Sequence, residues 1–198
     1  MKGEKGEKRK HELLQIAYRL FLSKGYEETS IDEIIEEAGI AKGTFYYHFE
    51  SKEALLEALI NKMISEKVEQ AKKITKAPLS VAEKAVAIIT SLRPEAAEMD
   101  IQNALNQKEN VVIHERINKR VIDEAVPILA EVVSEGISQG ILQCDNISER
   151  VRMTLVISSA TFDHGDFTAA DIDVFIDTVE KLLGAKKNTF EFIRSLIK

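Results

Sequence analysis

The chain has 198 residues, a formal charge of −6, and 44% apolar against 30% charged residues. That mixture allows a buried core in one domain or two small ones, and it excludes a generally basic nucleic-acid binder while leaving local patches open. No run of about 18 apolar residues occurs and no apolar stretch follows the Lys/Glu-rich start, so the expectation is a cytoplasmic protein without a membrane span or signal peptide.

Nine glycines, three prolines and the absence of strand-like alternation point to an all-α chain. Leu13, Ile16, Ala17, Leu20 and Phe21 recur at helical spacing and predict a first helix ending near Gly25. Lys2, Lys5, Lys8, Arg9 and Lys10 precede it, either as a solvated tail or as a phosphate-contacting arm. Ser30 and Glu33 have capping-box spacing and open a second, short helix that stops at Gly39. About two residues later a third segment runs from Ala41 to Phe49, which gives the spacing of a helix-turn-helix.

From Lys52 to about Thr75 the pattern predicts one long amphipathic helix. Ser80 opens a helix through Leu92, Pro94 opens another, and Val111 to about Gln139 reads as a long helix interrupted at Pro127. Asn146 or Ser148 begins a helix to Phe162, and Thr168 with Asp171 caps one ending at Gly184. Asn188 is expected to cap a last amphipathic stretch, Phe190 to Ile197.

The nine residues "AKGTFYYHF", 41–49, hold four of the twelve Phe and Tyr residues. On a helix Phe45 and Phe49 share one face, while Gly43, Thr44, Tyr46 and Tyr47 fall on the other. The inward pair fits the shortage of core in a unit of this size. The outward pair suits a flat polar partner such as DNA, whose phosphates accept hydrogen bonds from Tyr and Thr hydroxyls and whose sugars pack on rings. Gly43 would let a backbone come close, and Lys42 and Lys52 bracket the segment with positive charge. A purely structural helix pair, with the tyrosines packed on the fourth helix, remains open on these residues alone.

The stretch "TSIDEIIEEAGIAKGTFYYHFESKEALL", Thr29 to Leu56, together with "AYRLFLSKGYEETS" before it, strongly resembles the DNA-binding signature of the TetR family of transcriptional regulators. "VVSEGISQGIL", Val132 to Leu142, is similar to a recurring stretch of that family. The resemblance implies a three-helix DNA-binding domain, 1–52, and a larger helical effector-binding and dimerisation domain, 53–198. It implies a homodimer on a palindromic DNA operator, most simply a repressor released by a small-molecule effector, with DNA contacts from Lys42, Gly43, Thr44, Tyr46, Tyr47, His48 and Lys52. Ala41, Ile35 and Glu50 depart from the usual pattern; they predict an uncapped third helix, a repacked contact between the first two helices, and few phosphate contacts.

No cofactor is expected. Polar residues within apolar helices nominate Asn103, His114, Thr154 and Ser158, with Met99 and Phe162, as effector contacts, and the apolar surroundings favour a hydrophobic or amphipathic compound. Helices 147–162 and 172–183, apolar on more than one side, are the expected dimer surface. Two competing readings are a helical interaction module without DNA binding, and a metal-dependent enzyme using Asp163, His164 and Asp166, which the flanking glycine and following cap instead mark as a loop.

Overall fold

A computed structural model describes residues 2–105, 110–162 and 166–196, without the side chains of 2–5, 96, 99, 102 and 105. Among the described residues all regular structure is helical: α1 (Lys2–Lys24), α2 (Ile31–Ala38), α3 (Lys42–His48), α4 (Lys52–Ile74), α5 (Val81–Leu92), a 3₁₀ turn (Ala96–Glu98), α6 (Met99–Leu105), α7 (Val111–Ser138), α8 (Ile147–Phe162), α9 (Ala169–Leu183) and α10 (Ile193–Leu196). Contacts divide the chain into two units, Met1–Ser65 with Pro94–Asn118, and Glu66–Arg93 with Lys119–Lys198. The boundary expected after residue 52 falls inside the first unit.

In the first unit α1 packs on α2 and on α6, and α2 on α3. Leu13, Ala17, Phe21, Ile34, Phe45, Leu55 and Leu56 are fully enclosed and form its core. α1 begins well before the expected Leu13. Lys, Arg and Glu are good helix formers, Arg9 pairs with Glu12 one turn on at 2.8 Å, and Lys10 Nζ lies 5.9 Å from the centre of the Phe49 ring. The basic stretch at the start is therefore helix rather than tail.

Ser30 and Glu33 form the anticipated capping box on α2: the Glu33 backbone N–H donates to Ser30 Oγ at 3.2 Å, and the Ser30 N–H donates to Glu33 Oε2 at 2.8 Å. α2 ends at Gly39, whose φ of 60° is the left-handed conformation only glycine adopts cheaply. The Ile40 N–H then donates to the Ile35 carbonyl at 3.2 Å, which closes the tight turn into α3.

In the second unit α8 packs on α9 and α5 on α10. Ser80 opens α5 and Thr168 with Asp171 caps α9 as expected, and Glu83 completes a capping box on α5. Two expectations fail. α7 runs through Pro127 without a break, because Ala125, Val126, Ile128, Leu129, Val132 and Val133 around it are all buried and together outweigh the roughly 3 kcal/mol that an interior proline costs. Asn188 adopts φ 70°, not the extended conformation of an N-cap, and the regular helix beyond it is only Ile193–Leu196. There the chain turns to bury Phe190, whose N–H donates to the buried carboxylate of Glu180 at 3.3 Å.

Glu33 also accepts from the Lys24 ammonium, and this bond first, with the two from Ser30, lowers its pKa from 4.5 to about 2. The folded value lies below the unfolded one, so the contribution of this corner is complete above pH 4.5 and is lost as pH falls through about 2. Urea midpoints measured from pH 6 to pH 2 should therefore fall less steeply in Glu33→Gln than in the parent chain.

Candidate nucleic-acid interface

α3 has seven residues, a length that cannot hold a helix by itself. Its orientation comes from Phe45 and Phe49, 0% and 3% exposed, whose ring centres lie 6.0 Å apart in the core of the first unit. That leaves Tyr46 at 44% and Tyr47 at 82% exposure on the opposite side. Tyr46 leans edge-on against Phe45 at 5.4 Å, and Tyr47 edge-on against His48 at 5.0 Å, so both rings are braced while their outer faces are bare. Lys42 and Gly43 are exposed, and Thr44 and His48 half-buried.

Gly43 has no internal reason to be glycine. Its φ is not in the left-handed region, and a Cβ built on it meets nothing within 4 Å. Ala41 precedes α3 without a side-chain cap bond, as its methyl dictates. The helix thus presents a smooth patch at its start and two phenols next to it.

The two lysines differ. Lys42 Nζ pairs with Asp32 of α2 at 3.1 Å, and this hydrogen bond raises its pKa. Both groups lie in solvent, so the pair exchanges easily with a competing anion. Lys52 is committed to the fold: Nζ donates to the Glu27 carbonyl at 3.1 Å and sits 4.2 Å from the centre of the Tyr26 ring. Tyr26 is buried against Phe21, ring centres 5.1 Å apart, and burial, then the nearby Glu53 carboxylate, push its hydroxyl pKa up. The distance between residues 27 and 52 hid this anchor from sequence reasoning; the signal for it was an aromatic in the loop before α2 paired with a lysine opening α4.

The nominated effector residues are divided between the two units. Asn103 is exposed on α6 and His114 half-buried on α7, both in the first unit. The Met99 side chain lies outside the described residues, as do Asp163 and His164 of the competing metal reading, whose third member, Asp166, is exposed. Phe162 stacks edge-on with Phe167 and Phe175 at 5.2 and 5.1 Å, as part of an aromatic cluster. Thr154, in contrast, reaches a cavity of about 80 Å³ in the second unit. Its walls include Val81, Ala85, Val132, Leu155, Leu183 and Phe190. The Thr154 hydroxyl donates back to the Arg150 carbonyl at 3.0 Å, so the cavity is effectively all carbon. Ser158 is not among its walls.

Three-helix geometry, a tight glycine turn and a sealed-in, bare-out third helix define a helix-turn-helix unit of the DNA-binding class. Residues 13–59 match the sequence profile of the bacterial regulatory proteins of the tetR family, so this segment carries a helix-turn-helix of that type. It is 52% identical over 48 residues to the HTH-type transcriptional regulator YerO of Bacillus subtilis, a match covering 24% of this chain and 17% of that relative's length. It is 25% identical over 133 residues to the fatty acid metabolism regulator protein of Bacillus subtilis, covering 65% and 68% of the two chains. In fold it is similar to the transcriptional regulator FadR of Bacillus subtilis, solved with stearoyl-CoA, at a TM-score of 0.56 and 21% identity over 87% of this chain and 97% of that one. Among the described residues no helix is long and apolar enough to cross a membrane, and no cluster of three or more His, Cys, Asp or Glu could hold a metal.

An alanine at position 43 has room and gains helix propensity, so Gly43→Ala should raise the stability of the chain by up to about 1 kcal/mol in urea unfolding.

Proposed function

We propose that the chain is a ligand-responsive, DNA-binding transcriptional regulator of the cytoplasm, a homodimer that represses from a palindromic operator and is released by a small-molecule effector. The observation that carries the reading is α3 itself: two braced, solvent-facing tyrosines beside a glycine that the fold does not require. α3 enters the major groove, where backbone near Gly43 approaches closely, Thr44, Tyr46 and Tyr47 give hydroxyls to phosphates or ring faces to sugars and thymine methyls, and His48 lies at the far end. Lys42 leaves Asp32 for a phosphate. Lys52 acts by fixing the start of α4 while adding positive charge.

Dimerisation through α8 and α9 is supported by apolar side chains left in solvent there, Met153, Val156 and Ile157 on α8 and Val174 on α9. Pairing with the same surfaces of a second copy would cover them in a four-helix bundle. The carbon-lined cavity, together with the stearoyl-CoA held by the Bacillus subtilis FadR, favours a hydrophobic or amphipathic effector. The coupling is reciprocal: an effector that weakens operator binding tenfold must itself bind the operator complex tenfold less tightly, about 1.4 kcal/mol.

Selection of bound sequences from a random duplex pool tests the reading. The expected product is a palindrome with half-sites about 34 Å apart, one turn of the duplex, whose enrichment disappears when Tyr46 and Tyr47 are both replaced by alanine. Enrichment of no sequence, or of the same sequence by the double variant, would overturn it.

A further inference from the structure

The cavity of the second unit is bounded by α5, α7, α8 and α9 and by the segment that follows α9. These walls are not equivalent. α5, α7 and α9 bring long helices with buried rows of aliphatic side chains, whereas the segment 185–196 brings Phe190, Phe192 and Ile193 from turns and one four-residue helix. Among the described residues its polar fastening is sparse. At its near end Gly184 holds φ 61° with the Gln143 carbonyl so close that a Cβ would overlap it, and the Gln143 N–H donates to the Leu183 carbonyl at 3.1 Å. Beyond that point it has the Glu180 bond to the Phe190 N–H, a surface ion pair of Arg194 with Asp173 at 2.7 Å, and a hydrogen bond from Arg93 to the Leu196 carbonyl. Exposed ion pairs hold little, and short segments with few such tethers open first.

About 80 Å³ is roughly half of the 150 Å³ or so that admits a benzene ring, and the lining is almost wholly carbon. Among the walls only Thr154 carries a side-chain hydroxyl, and that is spent on its own helix. A charged or strongly polar group would be left without a partner inside. A flat ring does not fit without movement. A narrow aliphatic chain does, for its first few carbons, and further carbons require the 185–196 segment to give way.

We propose that this cavity is a binding site for an unbranched aliphatic chain, and that Phe190, Phe192 and Ile193 form the movable wall that sets the chain length it accepts. The proposal rests on the reading of the second unit as the effector domain and adds to it the place, the ligand class and the element that yields. Recognition in this cavity is by carbon, and Thr154 is present only as a satisfied wall residue.

Titration of the full chain with 1-hexanol, 1-octanol and 1-decanol, without DNA, is the test, followed by heat of binding and by the methyl signals of Val, Leu and Ile. Binding of 1-octanol is expected to shift the methyls of Val132, Val151 and Leu183. Ala85→Phe, which fills the cavity from α5, should weaken it at least tenfold. Phe192→Ala, which takes bulk from the movable wall, should raise the ratio of 1-decanol to 1-hexanol affinity at least tenfold; this variant keeps the test open even where the filled one folds poorly. No binding of any of the three alcohols, unchanged affinity in a folded Ala85→Phe, or an unmoved chain-length ratio in Phe192→Ala would overturn the proposal. Because the readout contains no DNA, a failure here leaves operator binding standing, and a failure to find an operator leaves this result standing.

Discussion

Burial of Phe45 and Phe49 is the interaction on which the rest of the first unit depends. A three-helix unit of this size has too little aliphatic area to close without large side chains, and a seven-residue helix has too few internal hydrogen bonds to persist unaided. Placing two phenylalanines four residues apart meets both needs at once. The same spacing fixes, without further choice, what faces water: the residues at 43, 46 and 47 must be out because those at 45 and 49 are in. The surface of α3 is therefore a by-product of its core in geometry and independent of it in chemistry, which leaves its side chains free to be selected for what they touch outside. The neighbouring fastenings serve the same end. Lys52 over Tyr26, Lys10 over Phe49 and the Gly39 turn all limit how α3 can tilt.

The second unit follows another logic. α7 carries apolar residues round much of its circumference and stays helical through a proline because tertiary burial dominates local propensity. α8 is the reverse case: of its sixteen residues only Val151 is buried, and several large apolar ones are in water. A helix with that balance gains most of its stability from something that covers it. Between these extremes lies the cavity, closed on one side by the weakly held segment after α9. A unit with one rigid helix, one uncovered helix and one soft wall has the parts that a ligand-biased equilibrium between two arrangements would use.

Much of this was legible in the sequence wherever the determinant is local. Capping boxes at Ser30 and Thr168, a helix start at Ser80 and helix ends at Gly39 and Gly184 are read from spacing alone, and each stands where expected. The inward and outward aromatics of α3 are likewise a matter of counting by four. What escaped was non-local. Pro127 looked like a break because its cost is local while the burial that overrides it comes from other helices. Asn188 looked like a cap because the capture of the Phe190 N–H by Glu180, ten residues away, is invisible to pattern. The contacts of Lys52 with Glu27 and Tyr26 escaped because these partners lie in the loop after α1. Thr154, one of the polar residues nominated as effector contacts, lines the cavity, but the cavity itself could not be read in advance, since a carbon-lined site announces itself by shape and not by an unusual residue type.

The central claim is that the outer face of α3 exists for a partner and not for the fold, and Tyr47, 82% exposed, isolates it. The decisive measurement is the unfolding midpoint and the operator affinity of Tyr47→Ala, taken on the same preparation at one salt concentration. The account predicts an unchanged midpoint, within about 0.5 kcal/mol as for surface substitutions in general, and an affinity reduced at least tenfold. A variant that loses stability while holding its operator affinity would contradict it, because Tyr47 would then belong to the structure and α3 would have no demonstrated business with DNA.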